Sequence, residues 1–188
     1  MTQATIAPEL SPLHRGLILA TVTTATGLYA MTITIANVAL PKIQGAFAAT
    51  PDQVAWVVTF NILATAVATP ITGWLAARFG TRRVLLCGVF GFVMATVLCG
   101  LATSLVELVL FRFIQGAFGA PLAPLSQAIV LDSYPRERQG AATAIYGMGV
   151  VLGPIIAPTV GGYLTELYNW RWVFFMVVPF GIACFVGL

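Results

Sequence analysis

Arg112 is the one cation of this chain that falls inside a long apolar stretch, and Gln115 follows it by three residues, close to one helical turn. Burying a guanidinium in hydrocarbon costs ~2.5–3.5 kcal/mol on insertion scales. Its position therefore demands a polar environment. One reading is a wet, protein-lined cavity in which Arg112 meets a substrate or adjusts the pKa of a neighbouring acid. The other is an arginine that snorkels outward or ties two helices together. Few other residues suggest chemistry. The single histidine, His14, lies near the N-terminal edge, and no Ser/His/Asp, Cys/His or HExxH arrangement is present. Cys87, Cys99 and Cys184 lie in apolar stretches without metal-ligand spacing and read as packing residues. No enzymatic activity, metal centre or cofactor is expected.

The elements that must position Arg112 are long and oily. Hydrophobic residues make up 59% of the 188 residues and charged residues only 8%. A chain with so few polar residues cannot clothe a water-soluble globule. A membrane span needs about 20 apolar residues to cross ~30 Å of hydrocarbon. Spans are expected near Gly16–Leu40, Val54–Ala77, Val84–Leu101, Leu105–Leu131, Ala141–Leu164 and Trp172–Leu188. The runs are too long for strands and lack period-2 alternation, so the fold class is all-α, a polytopic bundle of six transmembrane helices. Residues 1–13 carry Pro8 and Pro12 and are expected to be a disordered cytoplasmic N-terminus. Residues 14–188 form the bundle. Pro41 is expected to end the first span and open an external loop. The last residues still lie in an apolar run, which suggests a fragment of a longer protein.

Charge distribution orients the bundle. Arg15, Arg78, Arg82, Arg83, Arg136 and Arg138 fall in segments on one side, and the other side holds only Lys42 and Arg171. By the positive-inside rule the N-terminus is cytoplasmic. The net charge of +3 is spread in this way and is not a nucleic-acid signal.

Two helix faces are built from small residues. Stepping by fours from Arg112 gives Gly116, Ala120, Pro124 and Ala128, and the fifth span repeats the device with Gly149, Gly153, Ala157 and Gly161. Small residues four apart let another backbone come close. Pro154 and Pro158 beside them remove backbone donors and bend the helix. The segment from Gly73 to Arg83, with Gly80 near its end, reads as a tight reversal. Its arginines, Arg78, Arg82 and Arg83, are either topology signals or clamps on helix ends that release when the protein changes shape.

These stretches resemble the major facilitator superfamily. Gly73–Arg83 is similar to its loop signature between spans two and three, and Leu110–Gly116 to its fourth-helix motif. Gly153, Pro154, Ala157, Pro158, Gly161 and Gly162 resemble the fifth-helix motif of drug antiporters. Thr34–Pro41 and Trp170–Phe175 resemble the EmrB/QacA-type drug:proton antiporters. The resemblance implies the N-terminal six-helix half of an alternating-access multidrug efflux pump in the cell (inner) membrane. It implies protons as the driving ion and an amphipathic or cationic drug as substrate, with a periplasmic adaptor and an outer-membrane channel as partners beside the lipid bilayer. Arg112, Gln115 and Asn37, with Thr32 and Asn61, are the expected polar lining of the drug cavity. Gly73, Arg78, Gly80, Arg82, Arg83, Gly149, Gly153, Pro154, Pro158, Gly161 and Gly162 are the expected gating residues. Three positions depart from the pattern: Thr32 and Ala77 stand where the family commonly carries acids, and Ala157 where it carries glycine. No Asp or Glu lies mid-membrane, so a proton-carrying carboxylate must sit near an interface or in another part of the protein. The competing reading is a truncated or scaffold membrane protein with no transport activity of its own.

Overall fold

A computed structural model describes residues 11–188. Residues 1–10 of the expected N-terminal tail lie outside the described residues. Pro12 and Leu13, assigned by sequence to that tail, are already helical. The elements are α1 (Pro12–Phe47), α2 (Pro51–Phe79), α3 (Thr81–Leu101), α4 (Leu105–Gly119), α5 (Leu122–Ser133), α6 (Arg136–Leu167), α7 (Trp172–Phe175) and α8 (Val177–Gly187). Five helical stretches are long and apolar enough to cross a membrane, α4 and α5 together forming one, and Trp172–Gly187 is a shorter apolar sixth.

Helix ends follow local chemistry. Ser11 accepts from the His14 amide to start α1, with Pro12 at the first helical position, where no amide is needed. Pro41 does not end this helix, contrary to the sequence expectation. The chain stays helical to Phe47 because Ala39 and Ile43, on either side of the proline, are fully buried and hold the segment in place. Ala48 then takes a left-handed conformation at φ 48° and closes the helix. The external loop shrinks to Ala48–Thr50. Thr50 and Gln53 form a reciprocal capping box on α2. Gly80, at φ 89°, is the whole turn between α2 and α3. Gly73 is not part of that turn; it lies inside α2. The fourth span, expected as one helix, is broken at Ala120-Pro121, and the sixth is broken at Met176.

Packing has an internal symmetry. The first span (α1) packs most heavily on the fifth (α6), and the second (α2) on the fourth (α4). The third packs on the fourth and the first on the sixth; the remaining large contacts join the first to the fourth and the third to the sixth. Exchanging spans one with four, two with five and three with six maps this set of contacts onto itself. Each half has an odd number of spans, so the second half is inverted relative to the first, as in inverted-repeat transporters.

The burial pattern is that of a membrane bundle. Trp56, Ile62, Val67 and Trp74 on α2, and Ile145, Met148, Leu152 and Ile155 on α6, are exposed, whereas Thr26, Asn61, Thr96, Arg112, Gln115 and Ser126 are buried. Lipid tolerates apolar surface but not unpaired polar groups, so the polar side chains turn inward.

Candidate functional site

Two helix crossings organise the bundle interior. At the first, α4 lies against α2 at Gly116, where an added Cβ would strike the carbonyl oxygen of Asn61. Only glycine allows this approach, and the approach lets side chains one turn away reach across. Asn61 Nδ2 donates to the Arg112 carbonyl at 2.8 Å, and Arg112 Nε donates to the Val57 carbonyl at 3.2 Å. Arg112 Nη1 donates to Gln115 Oε1, and Gln115 Nε2 donates to Thr96 Oγ1 on α3 at 2.7 Å. The Phe174 ring centroid lies 6.0 Å from the guanidinium carbon. On the other side, Thr65 Oγ1 is within hydrogen-bond distance of the Asn61 and Gly116 carbonyls and of the Tyr29 hydroxyl on α1, the last at 2.7 Å. A polar chain thus links α1, α2, α4 and α3.

This geometry brings together some of the residues expected to line a drug cavity and leaves others apart. Arg112, Gln115 and Asn61 do come together, but Arg112 and Gln115 are 0% exposed and Asn61 is 1% exposed. Arg112 is fully enclosed among the described residues. It ties α4 to α2 and, through Gln115, to α3, which is the alternative left open by the sequence. The physical reason is that the Val57 carbonyl on α2 and the Gln115 side-chain carbonyl, itself held by Thr96 on α3, accept from the guanidinium at that depth, cheaper company than lipid. Thr32 is also sealed in, donating to the Leu28 carbonyl at 2.7 Å. Asn37 is exposed on α1 and donates to Ile33 O, away from this cluster. Arg112 Nη2 and Asn61 Oδ1 have no partner among the described residues.

The second crossing joins α1 and α6. A Cβ on Gly153 would strike the carbonyl oxygen of Gly27, one on Gly149 would strike Thr23 Cγ2, and one on Gly161 would lie inside Ile35. The stripe expected on the fifth span therefore does pack a backbone closely, and its partner is α1. Ala157, in register with it, is fully buried. Gly162 is different: nothing lies within 4 Å of its Cβ position, so it is not part of the contact. Pro154 and Pro158 sit inside α6 beside the crossing.

Beside this crossing runs an open groove of about 270 Å³, lined by Thr23, Thr24, Leu28, Met31, Leu152 and the crossing glycines. Sequence reasoning missed Thr23, Thr24 and Met31. The available signal was Thr23 and Gly27 four apart, which puts a hydroxyl and a gap on one face of the first span.

Arg78, Arg82 and Arg83 are exposed around the Gly80 turn, and Arg82 Nε donates to the Leu188 carbonyl at 2.8 Å. At the opposite end of the bundle Arg171 stacks 4.5 Å from the Trp170 ring centroid and donates to the Ala102 carbonyl.

The fold and these crossings define a polytopic α-helical membrane protein of the transporter type. The model of the Major Facilitator Superfamily matches residues 22–188, and the chain belongs to that family. It is 44% identical over 180 residues to the multidrug export protein EmrB of Haemophilus influenzae, covering 94% of this chain and 35% of that protein. It is 42% identical to EmrB of Escherichia coli K12, covering 85% and 31%, and 41% identical to the fatty acid resistance protein FarB of Neisseria gonorrhoeae, covering 91% and 34%. The chain thus spans about a third of the length of these curated relatives. A crystal structure of a bacterial homologue of the human lysosomal transporter Spinster, inward-facing and unoccupied, shares the fold. Its TM-score is 0.80 at 24% identity, covering 95% of this chain and 44% of the other.

Proposed function

We propose that this chain is the N-terminal bundle of an alternating-access multidrug exporter of the EmrB/QacA type, which exchanges an amphipathic or cationic drug for protons. The observation that carries this reading is the α1–α6 crossing with its groove: two backbones in contact at Gly27 and Gly153, and an open slot lined by Thr23, Thr24, Met31 and Leu152 beside them. A slot of mixed hydroxyl and apolar lining suits amphipathic molecules of varied shape. The relatives named for multidrug export support the substrate class.

In this reading Arg112 is a strut that keeps α2, α3 and α4 together while the α1–α6 face meets the drug. Gly149, Gly153 and Gly161, with Pro154 and Pro158, form the close-packed bent helix that seals one side of the membrane. Gly80, Arg78, Arg82 and Arg83 form the cytoplasmic turn. Gly73 and Gly162 lie outside those contacts. The orientation is the one set by the arginines, with the N-terminus in the cytoplasm of a cell whose inner membrane holds the protein. The proton-carrying carboxylate lies outside the mid-membrane part of this chain. A periplasmic adaptor and an outer-membrane channel complete the path.

The test is dye export by the full-length protein in inverted vesicles. An imposed inside-acid pH gradient is expected to drive accumulation of a cationic dye, and Thr24→Trp to abolish it with the protein still inserted. Accumulation indifferent to the gradient removes proton exchange, and wild-type transport by Thr24→Trp removes the groove.

A further inference from the structure

A cavity of about 380 Å³ lies between the end of α2 and the start of α3, lined by Leu75, Phe79, Val84 and Cys87, with Arg83 as its one charged member. Arg83 and Cys87 are both exposed and stand four apart, on one face of α3. That face continues through Phe90 and Met94, which are 56% and 47% exposed and line a second, wholly apolar groove of about 300 Å³ against Ile182 and Phe185 on α8. From Arg83 to Met94 the track is roughly 16 Å long at ~1.5 Å per residue, most of the length of a phospholipid acyl chain.

Charge at the mouth of the track is one-sided. Arg78 at the end of α2 and Arg82 and Arg83 at the start of α3 flank the turn, and the sequence holds no Asp or Glu between Asp52 and Glu107. Arg82 Nε is engaged by the Leu188 carbonyl, Arg83 lines the cavity, and Arg78 stands five residues before it at the end of α2.

We infer that this groove binds one anionic phospholipid of the cytoplasmic leaflet, its phosphate on Arg83 and Arg78 and one acyl chain along Cys87, Phe90 and Met94. Basic pockets between spans on that side are suited to such headgroups. The leaflet, but not the groove, rests on the orientation proposed above. Bound lipid would fix the α2–α3 turn to the bilayer and make the turn sensitive to membrane composition.

Native mass spectrometry of the full-length protein, released from bilayers of equal phosphatidylglycerol and phosphatidylcholine, tests this. Phosphatidylglycerol is expected to be retained in preference. Arg83→Gln is expected to lower its retention about fivefold, with Arg83→Lys keeping most of it. Cys87→Phe, which fills the groove without removing charge, is expected to lower it as well. Arg136→Gln, a cation of the other loop on that side, is expected to leave it unchanged. Equal retention of the two lipids would overturn the inference. So would a loss in Arg136→Gln as large as in Arg83→Gln, displacement by millimolar glycerol phosphate, or protein dimers in place of lipid adducts. Labelling of Thr81→Cys by an impermeant maleimide from outside intact cells would overturn the leaflet alone.

Discussion

Replacing Gly153 by alanine adds one methyl group at the tightest point of the α1–α6 crossing. The new Cβ would collide with the Gly27 carbonyl oxygen and would sit 3.2 Å from Met31 Cβ. Neither neighbour can swing away, since one is helix backbone and the other the root of a side chain. The helices must separate by a few tenths of an ångström or more, and overpacking of this kind costs ~1–3 kcal/mol. Alanine gains ~1 kcal/mol of helix propensity over glycine, so the net expectation is ~0–2 kcal/mol of destabilisation. Gly162→Ala is the matched control: it gains the same propensity on the same helix and meets nothing within 4 Å. Thermal unfolding of the two variants in one detergent, followed by tryptophan fluorescence, measures the difference. Gly153→Ala should melt several degrees below Gly162→Ala, with Gly153→Leu lower still. Equal melting temperatures would refute the close-packing argument.

Other substitutions probe other parts of the bundle. Arg112→Ala removes the ties to Val57 and Gln115 and leaves buried acceptors unpaired; a loss of ~1–3 kcal/mol should appear as reduced yield and melting temperature as well as reduced drug resistance. Gly80→Ala puts a side chain at φ 89° and should cost ~1 kcal/mol, read as faster proteolysis at the α2–α3 turn. Glu107→Gln weakens the acceptor for the Thr103 amide and hydroxyl, both at 2.8 Å; a small fall in melting temperature checks the cap. Tyr29→Phe removes the hydroxyl that meets Thr65 on α2 and should destabilise by ~1 kcal/mol.

Much of this was legible in the sequence. Apolar runs of bilayer length fixed the number and type of spans, because lipid admits only helices of that length. The small-residue faces announced close packing, and Gly116 and Gly153 do touch backbone. What stayed hidden was pairing. Sequence marks the face of α6 that wants a neighbour but not that α1 is the neighbour, so Thr23, Thr24 and Met31 went unnoticed. Arg112 could be read as polar-seeking but not as sealed, because its partners, Val57 and Thr96, lie on other spans. Pro41 reads as a helix end because local chemistry opposes proline inside helices; the buried residues around it, a tertiary effect, override that preference.

The central claim is that the α1–α6 face meets the drug and Arg112 does not. With Cys87, Cys99 and Cys184 replaced by alanine in the full-length protein, single cysteines at positions 24 and 112 are exposed to an impermeant maleimide. Labelling of Thr24→Cys, slowed by a cationic dye, with Arg112→Cys inert, is the expected result. An unreactive Thr24→Cys beside a reactive, dye-protected Arg112→Cys would contradict it.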